Sequence, residues 1–185
     1  MANLFGFGSK TGIELQPESA GFVADPEWKQ RVTGERWFLG NTYHFGIGQG
    51  DLLVTPLQVA QMTQAVLDRG TLCRPSLVRS SDVHEAGHCS EVGVLEENLE
   101  LVVEGMLDAC STGGTAFPFF SHNETARDKS LSPYDQVARG AIACKTGTAE
   151  FGGQDSRGYR KTHGWFAMGM GTQDLISRVT SQAEQ

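Results

Sequence analysis

The sequence predicts an α+β fold in which an antiparallel sheet is flanked by helices. Helix start and stop signals bracket residues 56–69, and an apolar repeat of helical period covers residues 95–110. Two apolar segments, residues 137–144 and 163–170, are separated by a glycine-rich turn, as in a pair of antiparallel strands. With 185 residues and 39% hydrophobic content, the chain is long enough to bury one core.

The N-terminal third is expected to consist of loops followed by one helix. Residues 1–50 are rich in glycine and in aromatic residues that follow no helical period. Thr55 is a suitable N-cap, Pro56 suits the first helical position, and Gly70 is typical of a helix end. We expect this helix to pack through three apolar side chains, Leu57, Ala60 and Val66.

The second helix has the stronger pattern. Its apolar residues recur at three- and four-residue steps, which places them on one helix face. They are Leu95, Leu99, Val102, Val103, Met106, Leu107 and Cys110. A polar connection over residues 122–136 then leads to the predicted strand at 137–144.

The predicted strand ends at the tetrapeptide Lys145-Thr146-Gly147-Thr148. Alternation along a strand puts Lys145 and Gly147 on one face and the two threonines on the other. A ligand reaches both sets only by lying along the edge of the strand, which predicts an edge strand. There the free backbone groups can pair with an extended peptide, and Gly147 permits close approach.

The tetrapeptide also predicts a chemistry. Lys145 supplies positive charge, the hydroxyls of Thr146 and Thr148 suit a carboxylate, and the N–H of Thr148 suits an oxyanion. The same residue types also occur in ordinary surface turns. The copy at Lys10-Thr11-Gly12 is interpreted as such a turn, because no apolar strand leads into it.

Five short segments together resemble the transpeptidase domain of class B penicillin-binding proteins, which are serine acyltransferases that cross-link peptidoglycan. Their order along the chain is that of the family, and the resemblance covers about residues 2–170. The segments are Asn3–Gly8 with Lys10–Ile13, Ile47–Gly50 with Thr55–Ala60, Gly113–Ala116, Lys145–Glu150, and Thr162–Phe166. The implied architecture is part of the penicillin-binding and β-lactamase-like transpeptidase fold.

The resemblance implies roles for the four motif residues. Lys145 would orient the polar network around the acylating serine. Thr146 and Thr148 would hold the terminal carboxylate of a peptidoglycan stem peptide or of a β-lactam, and the Thr148 amide would form half of the oxyanion hole. Gly147 would also belong to the substrate-binding residues. No cofactor and no metal are implied.

Two further family motifs, Ser-x-x-Lys with the nucleophile and Ser-x-Asn, are not matched. No lysine has a serine three residues before it, because those positions hold Phe7, Pro26, Ala126, Ile142 and Gly158. Ser121-His122-Asn123 fits Ser-x-Asn, but it follows segments that the family's motif precedes, and it is interpreted as a loop coincidence.

We therefore expect residues 1–185 to be the C-terminal part of a transpeptidase domain, inactive without the nucleophile segment, with a tail of uncertain structure over 171–185. Strands absent from such a piece would leave apolar edges exposed and the product prone to aggregation. The alternative is a non-catalytic module, degenerate or truncated, that binds peptides or cell-wall-synthesis partners.

Charge and hydropathy limit the partners. The net charge of −7, from 15 basic and 22 acidic residues, argues against binding to nucleic acid or anionic lipid. No apolar run reaches the roughly 18 residues that span a bilayer, and the start of the chain lacks a basic signal region. By resemblance, the parent protein would be anchored in the cytoplasmic membrane, work on its outer face and have cell-wall-synthesis partners.

The four cysteines leave their bonding open. Cys73 and Cys89 flank a segment that a disulfide can close, whereas Cys110 and Cys144 lie in apolar surroundings typical of small buried side chains. Four free thiols are equally compatible with the sequence. A zinc site formed by His84, His88 and Cys89 is disfavoured against a solvated loop, because the segment has no strong helical pattern.

Overall fold

The computed structural model describes residues 1–77 and 89–171, and in these residues helices and short strands alternate. The helices are α1 (Pro26–Thr33), α2 (Leu39–Gly46), α3 (Pro56–Leu67), α4 (Glu96–Ala109), α5 (Phe120–Ala126) and α6 (Pro133–Ala138), with 3-10 turns at Ala2–Phe5 and Phe117–Phe119. The strands are β1 (Phe22–Val23), β2 (Leu52–Leu53), β3 (Thr71–Cys73), β4 (Cys89–Glu91), β5 (Ala143–Phe151) and β6 (Lys161–Gly169). The mixed α+β class is as predicted.

The strands pair two by two in the described part of the chain: β1 with β2, β3 with β4, and β5 with β6. The chain also divides into two compact units. Among the described residues, the first unit comprises 1–62, 72–77, 89–92 and 148–163, and the second comprises 63–71, 93–147 and 164–171. The longest helix, α4, has 14 residues, so no described helix reaches the roughly 20 residues that cross a bilayer.

Two helices in the first unit lie where loops were predicted. Helix α1 begins at Pro26, and the Asp25 carboxylate caps it by accepting a hydrogen bond of 2.7 Å from the Trp28 N–H. Lys29 is buried, and its Nζ donates to Asn41 Oδ1 of α2 at 2.9 Å. The loop prediction for residues 1–50 was wrong here. The two short helices lack an apolar period and are stabilised instead by the cap of α1 and by the contact between them.

Helix α3 confirms the predicted start. Thr55 Oγ1 accepts from the Gln58 N–H at 3.2 Å, and Gln58 Oε1 accepts from the Thr55 N–H at 2.9 Å, which is a reciprocal cap. The helix ends at Leu67, two residues before the predicted end, because Arg69 and Gly70 have φ of 51° and 96°. Ala60 is exposed rather than packed, whereas Gln58 is fully buried.

Helix α4 is also confirmed, and it supplies much of the second unit's core. Four of its predicted apolar positions are buried, namely Leu99, Val103, Met106 and Leu107. Leu95 and Val102 are instead 65% and 49% exposed. Beyond the helix end, Cys110, Ala116, Ile142 and Cys144 form a buried apolar cluster.

The connection predicted over 122–136 overlaps helices α5 and α6, so that prediction was wrong. Ser132 caps α6 by accepting from the Asp135 N–H, ahead of Pro133. The predicted strand at 137–144 was misplaced, because residues 137 and 138 belong to α6 and β5 begins only at Ala143. Gly140, with φ of 102°, ends the helix and redirects the chain.

Strands β5 and β6 form the predicted pair. Gly147 lies against Trp165, since a Cβ atom on Gly147 would stand 3.3 Å from Trp165 Cβ. Phe151, further along β5, stacks on His163, which comes earlier in β6, at 4.0 Å between ring centroids. The strands therefore run in opposite directions, as their nine-residue connection requires.

All four cysteines form disulfides, Cys73 with Cys89 and Cys110 with Cys144. Cys110 and Cys144 are fully buried, as expected, but they are bonded rather than free. Cys89 is no free thiol for the disfavoured zinc site, and the two histidines of that proposal lie outside the described residues.

We expect the double substitution Cys110→Ala/Cys144→Ala to lower the free energy of unfolding by about 3–4 kcal/mol, because it frees a long loop in the unfolded chain. The cysteines are 34 residues apart in sequence. Guanidinium denaturation followed by circular dichroism measures the change. The pair Cys73→Ala/Cys89→Ala, 16 residues apart and less buried, is the control and should lose less. An equal loss from both would contradict this ranking.

Candidate functional site

The motif lies where β5 leaves the core. Ala143 and Cys144 are fully buried, whereas Lys145 is exposed and Thr146 is half-buried. The motif occupies the third to sixth positions of the nine-residue strand, not its end as predicted. Among the described residues β5 pairs only with β6, so no described strand lies along its other edge.

Three motif residues belong to the second unit. The Lys145 ammonium donates to the carbonyl oxygen of Thr146 at 2.6 Å. The Thr146 hydroxyl donates to Thr115 Oγ1 at 2.9 Å. A side chain at Gly147 would crowd Trp165 of β6, which gives this glycine a packing reason in addition to the predicted close approach of a ligand.

Thr148 belongs to the first unit, where its side chain is exposed. Its carbonyl oxygen accepts a hydrogen bond of 3.4 Å from Gln49 Nε2. Gln49 lies in the Ile47–Gly50 segment, one of the segments that resemble the family. Thr115 likewise lies in the Gly113–Ala116 segment. In the sequence, only the family order of these segments indicated that Gln49 and Thr115 lie near the motif. Their distance along the chain does not show which residues are in contact.

The N-terminal Lys-Thr-Gly copy, residues 10–12, binds a carboxylate of its own chain. Thr11 is buried, and both its N–H and its hydroxyl donate to Glu18 Oε1, at 2.7 and 2.6 Å. The Gly12 N–H donates to Glu18 Oε2 at 3.2 Å. The hydrogen bond from the Thr11 hydroxyl, followed by those from the two N–H groups, lowers the pKa of the Glu18 carboxyl.

Asn123 of the Ser-x-Asn coincidence has a structural role. It lies on α5 rather than in a loop, and it is 1% exposed. Its Oδ1 accepts from the Ile142 N–H and its Nδ2 donates to the Ile142 carbonyl, both at 2.8 Å. This amide therefore fixes the backbone immediately before β5.

Residues 1–174 match the model of the family described as penicillin binding protein transpeptidase domain. The match covers well over half of the sequence, and with the fold and the motif strand it shows that the chain belongs to the transpeptidase domain family of the penicillin-binding proteins.

Relatives within the family include peptidoglycan D,D-transpeptidases MrdA. The Acinetobacter baumannii protein is 42% identical over 77 residues, which are 42% of this chain and 12% of the relative. The Escherichia coli K12 protein is 31% identical over 156 residues, which are 79% of this chain and 22% of the relative. The chain thus spans less than a quarter of the length of these curated relatives.

A solved structure of similar fold is the complex between penicillin-binding protein PBP2 and MreC from Helicobacter pylori. It matches with a TM-score of 0.65 and 28% identity, over 90% of this chain and 27% of that one. The likeness confirms the predicted penicillin-binding fold.

We expect Glu18 to titrate below the ordinary glutamate pKa of about 4.3, because Thr11 and Gly12 hydrogen-bond its ionised form. A lowered folded pKa means that the contact stabilises the fold above pH of about 4.3 and loses that contribution as the pH falls through the folded value. NMR titration of the Glu18 side-chain carboxyl carbon measures the midpoint. Thr11→Val should raise it, and identical midpoints in both proteins would reject the assignment.

Proposed function

We propose that this chain supplies the substrate-binding strand of a serine D,D-transpeptidase that cross-links peptidoglycan stem peptides. The observation that carries the proposal is the tetrapeptide Lys145–Thr148, exposed except for the half-buried Thr146, on a strand whose start is buried and whose second edge has no described strand beside it. In such an enzyme a serine hydroxyl attacks the carbonyl of the penultimate D-alanine and releases the last D-alanine. An amine of a neighbouring stem then displaces the serine.

In this proposal the motif residues divide the work. Lys145 and the hydroxyls of Thr146 and Thr148 bind the C-terminal carboxylate of the stem or of a β-lactam. The Thr148 N–H stabilises the developing oxyanion, which is worth most in a site with little water. Gly147 allows the peptide backbone to approach β5.

The Glu18 contact supports the proposed chemistry. A threonine hydroxyl and two successive N–H groups of a Lys-Thr-Gly sequence already hold a carboxylate within this chain. Charge-assisted hydrogen bonds of this kind are stronger than neutral ones. Thr146 can offer its hydroxyl to an external carboxylate, whereas Thr11 is occupied by an internal one.

The partners and location of the whole protein are also proposals. The solved Helicobacter pylori relative is in complex with MreC, which supports a parent protein that works with cell-wall-synthesis partners. We infer that this parent is anchored at the outer face of the cytoplasmic membrane. The net charge of −7 disfavours nucleic acid as a partner.

A non-catalytic module is the second candidate, favoured by one observation. The sequence contains no Ser-x-x-Lys to provide the nucleophile. The encoding region discriminates between the two: an in-frame upstream Ser-x-x-Lys supports the transpeptidase, and a true start codon at Met1 supports the module.

We expect the 185-residue chain alone to take no covalent label from a fluorescent penicillin, because these residues lack the serine that opens the lactam ring. Gel fluorescence of the purified chain measures this, with a complete penicillin-binding protein as the positive control. Stable labelling at one residue would reject the proposed lack of a nucleophile.

In the full-length protein we expect Lys145→Ala to lower the second-order rate constant of acylation by about 10- to 100-fold, because it removes the positive charge proposed to attract the substrate carboxylate and to orient the serine network. Stopped-flow or gel-based acylation measures the rate. Lys10→Ala, in the copy that holds Glu18, is the matched control and should change it less than about twofold. Acylation that survives Lys145→Ala unchanged would exclude the role.

A further inference from the structure

We propose that Thr115 is a positioning residue for Thr146, and that the Cys110–Cys144 disulfide holds the two hydroxyls in register. The inference rests on the proposed role of Thr146 in binding the substrate carboxylate. It starts from the 2.9 Å hydrogen bond between Thr146 Oγ1 and Thr115 Oγ1, which joins positions 31 residues apart. All four residues lie in the second unit.

The loop that carries Thr115 is folded tightly onto the end of α4. The N–H groups of Thr115 and Ala116 both donate to the carbonyl oxygen of Ala109 at 3.0 Å. Gly114 fits there only without a side chain, because a Cβ atom would lie 2.3 Å from Asp108 O and 2.4 Å from Ala109 O. The backbone that carries Thr115 therefore has little conformational freedom.

The disulfide joins the two segments that meet at this hydrogen bond. Cys110 directly follows α4, and Cys144 directly precedes Lys145. Both are fully buried, with their Cα atoms 5.8 Å apart. Thr115 is five residues from one end of the bond and Thr146 is two residues from the other, so sliding of β5 past the loop would break a covalent link.

The hydrogen bond selects the side-chain conformation of Thr146. A threonine has three staggered χ1 positions, and contact with Thr115 favours the one that the structure shows. A hydroxyl donates once and accepts twice, so the pair can exchange roles without moving either oxygen. When a carboxylate accepts the Thr146 proton, Thr115 can donate to Thr146 Oγ1 and keep its orientation.

The inference is tested by comparing the acylation of the full-length protein by a penicillin and by its methyl ester, which lacks the free carboxylate. Thr115→Val should lower the acylation rate constant of a penicillin by about three- to tenfold, and leave that of its methyl ester within about twofold. Thr115→Ser should restore most of the rate. Thr112→Val is the matched control, because the Thr112 hydroxyl bonds Glu124 instead of the motif, and it should change neither rate.

Thr146→Val distinguishes a failure of the positioning role of Thr115 from a failure of the proposed function. If it lowers the penicillin rate while Thr115→Val does not, the positioning role is overturned and the proposed function stands. Equal losses for penicillin and ester in Thr115→Val would also overturn it, because they indicate a general structural defect. If Thr146→Val changes nothing, the proposed function fails.

A second measurement needs no activity. Methyl couplings of Thr146 in the threonine-labelled 185-residue chain report its χ1 distribution. A single conformer in the unsubstituted chain and in Thr115→Ser, with averaging in Thr115→Val, is the expected result. Averaging of the Thr146 χ1 angle in the unsubstituted chain, or an unchanged single conformer in Thr115→Val, would overturn the inference. This measurement applies even if the chain is a non-catalytic module.

Discussion

The fixed start of β5 is the constraint on which the candidate site depends. The Asn123 amide binds both backbone groups of Ile142, and two residues later Cys144 is bonded to Cys110. A strand held at two successive points cannot slip, and a slip of one residue would exchange the faces of Lys145 and Thr146. Every proposed contact with a substrate assumes that this exchange does not occur.

Local signals account for the parts of the fold that could be predicted. Thr55 and the apolar repeat of α4 act over a few residues, so both longer helices were found from sequence. The shorter helices α1 and α6 also begin with a capping residue followed by proline, at Asp25-Pro26 and Ser132-Pro133, but they lack the apolar period that marks α4. They are stabilised by contacts between residues further apart in sequence. Lys29 of α1, for example, binds Asn41 of α2, twelve residues later, and such a contact cannot be predicted from an apolar period.

The motif itself could be found from sequence, but its surroundings could not. Residue types and their order indicated Lys145–Thr148, because charge, hydroxyls and glycine in that pattern suit a carboxylate. The placement of Thr115 beside Thr146 depends on a loop folded against α4 and on a disulfide that the sequence left open. The two Lys-Thr-Gly copies make the same point, since the sequence does not show that Glu18 binds to the copy at residues 10–12.

The buried Cys110–Cys144 bond also has a practical consequence for obtaining the protein. Such bonds form and persist in oxidising compartments, whereas glutathione and thioredoxin keep thiols reduced in the cytosol. Material made in an ordinary bacterial cytosol would therefore hold the strand with noncovalent contacts only. Secretion, or refolding with a glutathione redox couple, is the appropriate route to a sample in which the strand is covalently held.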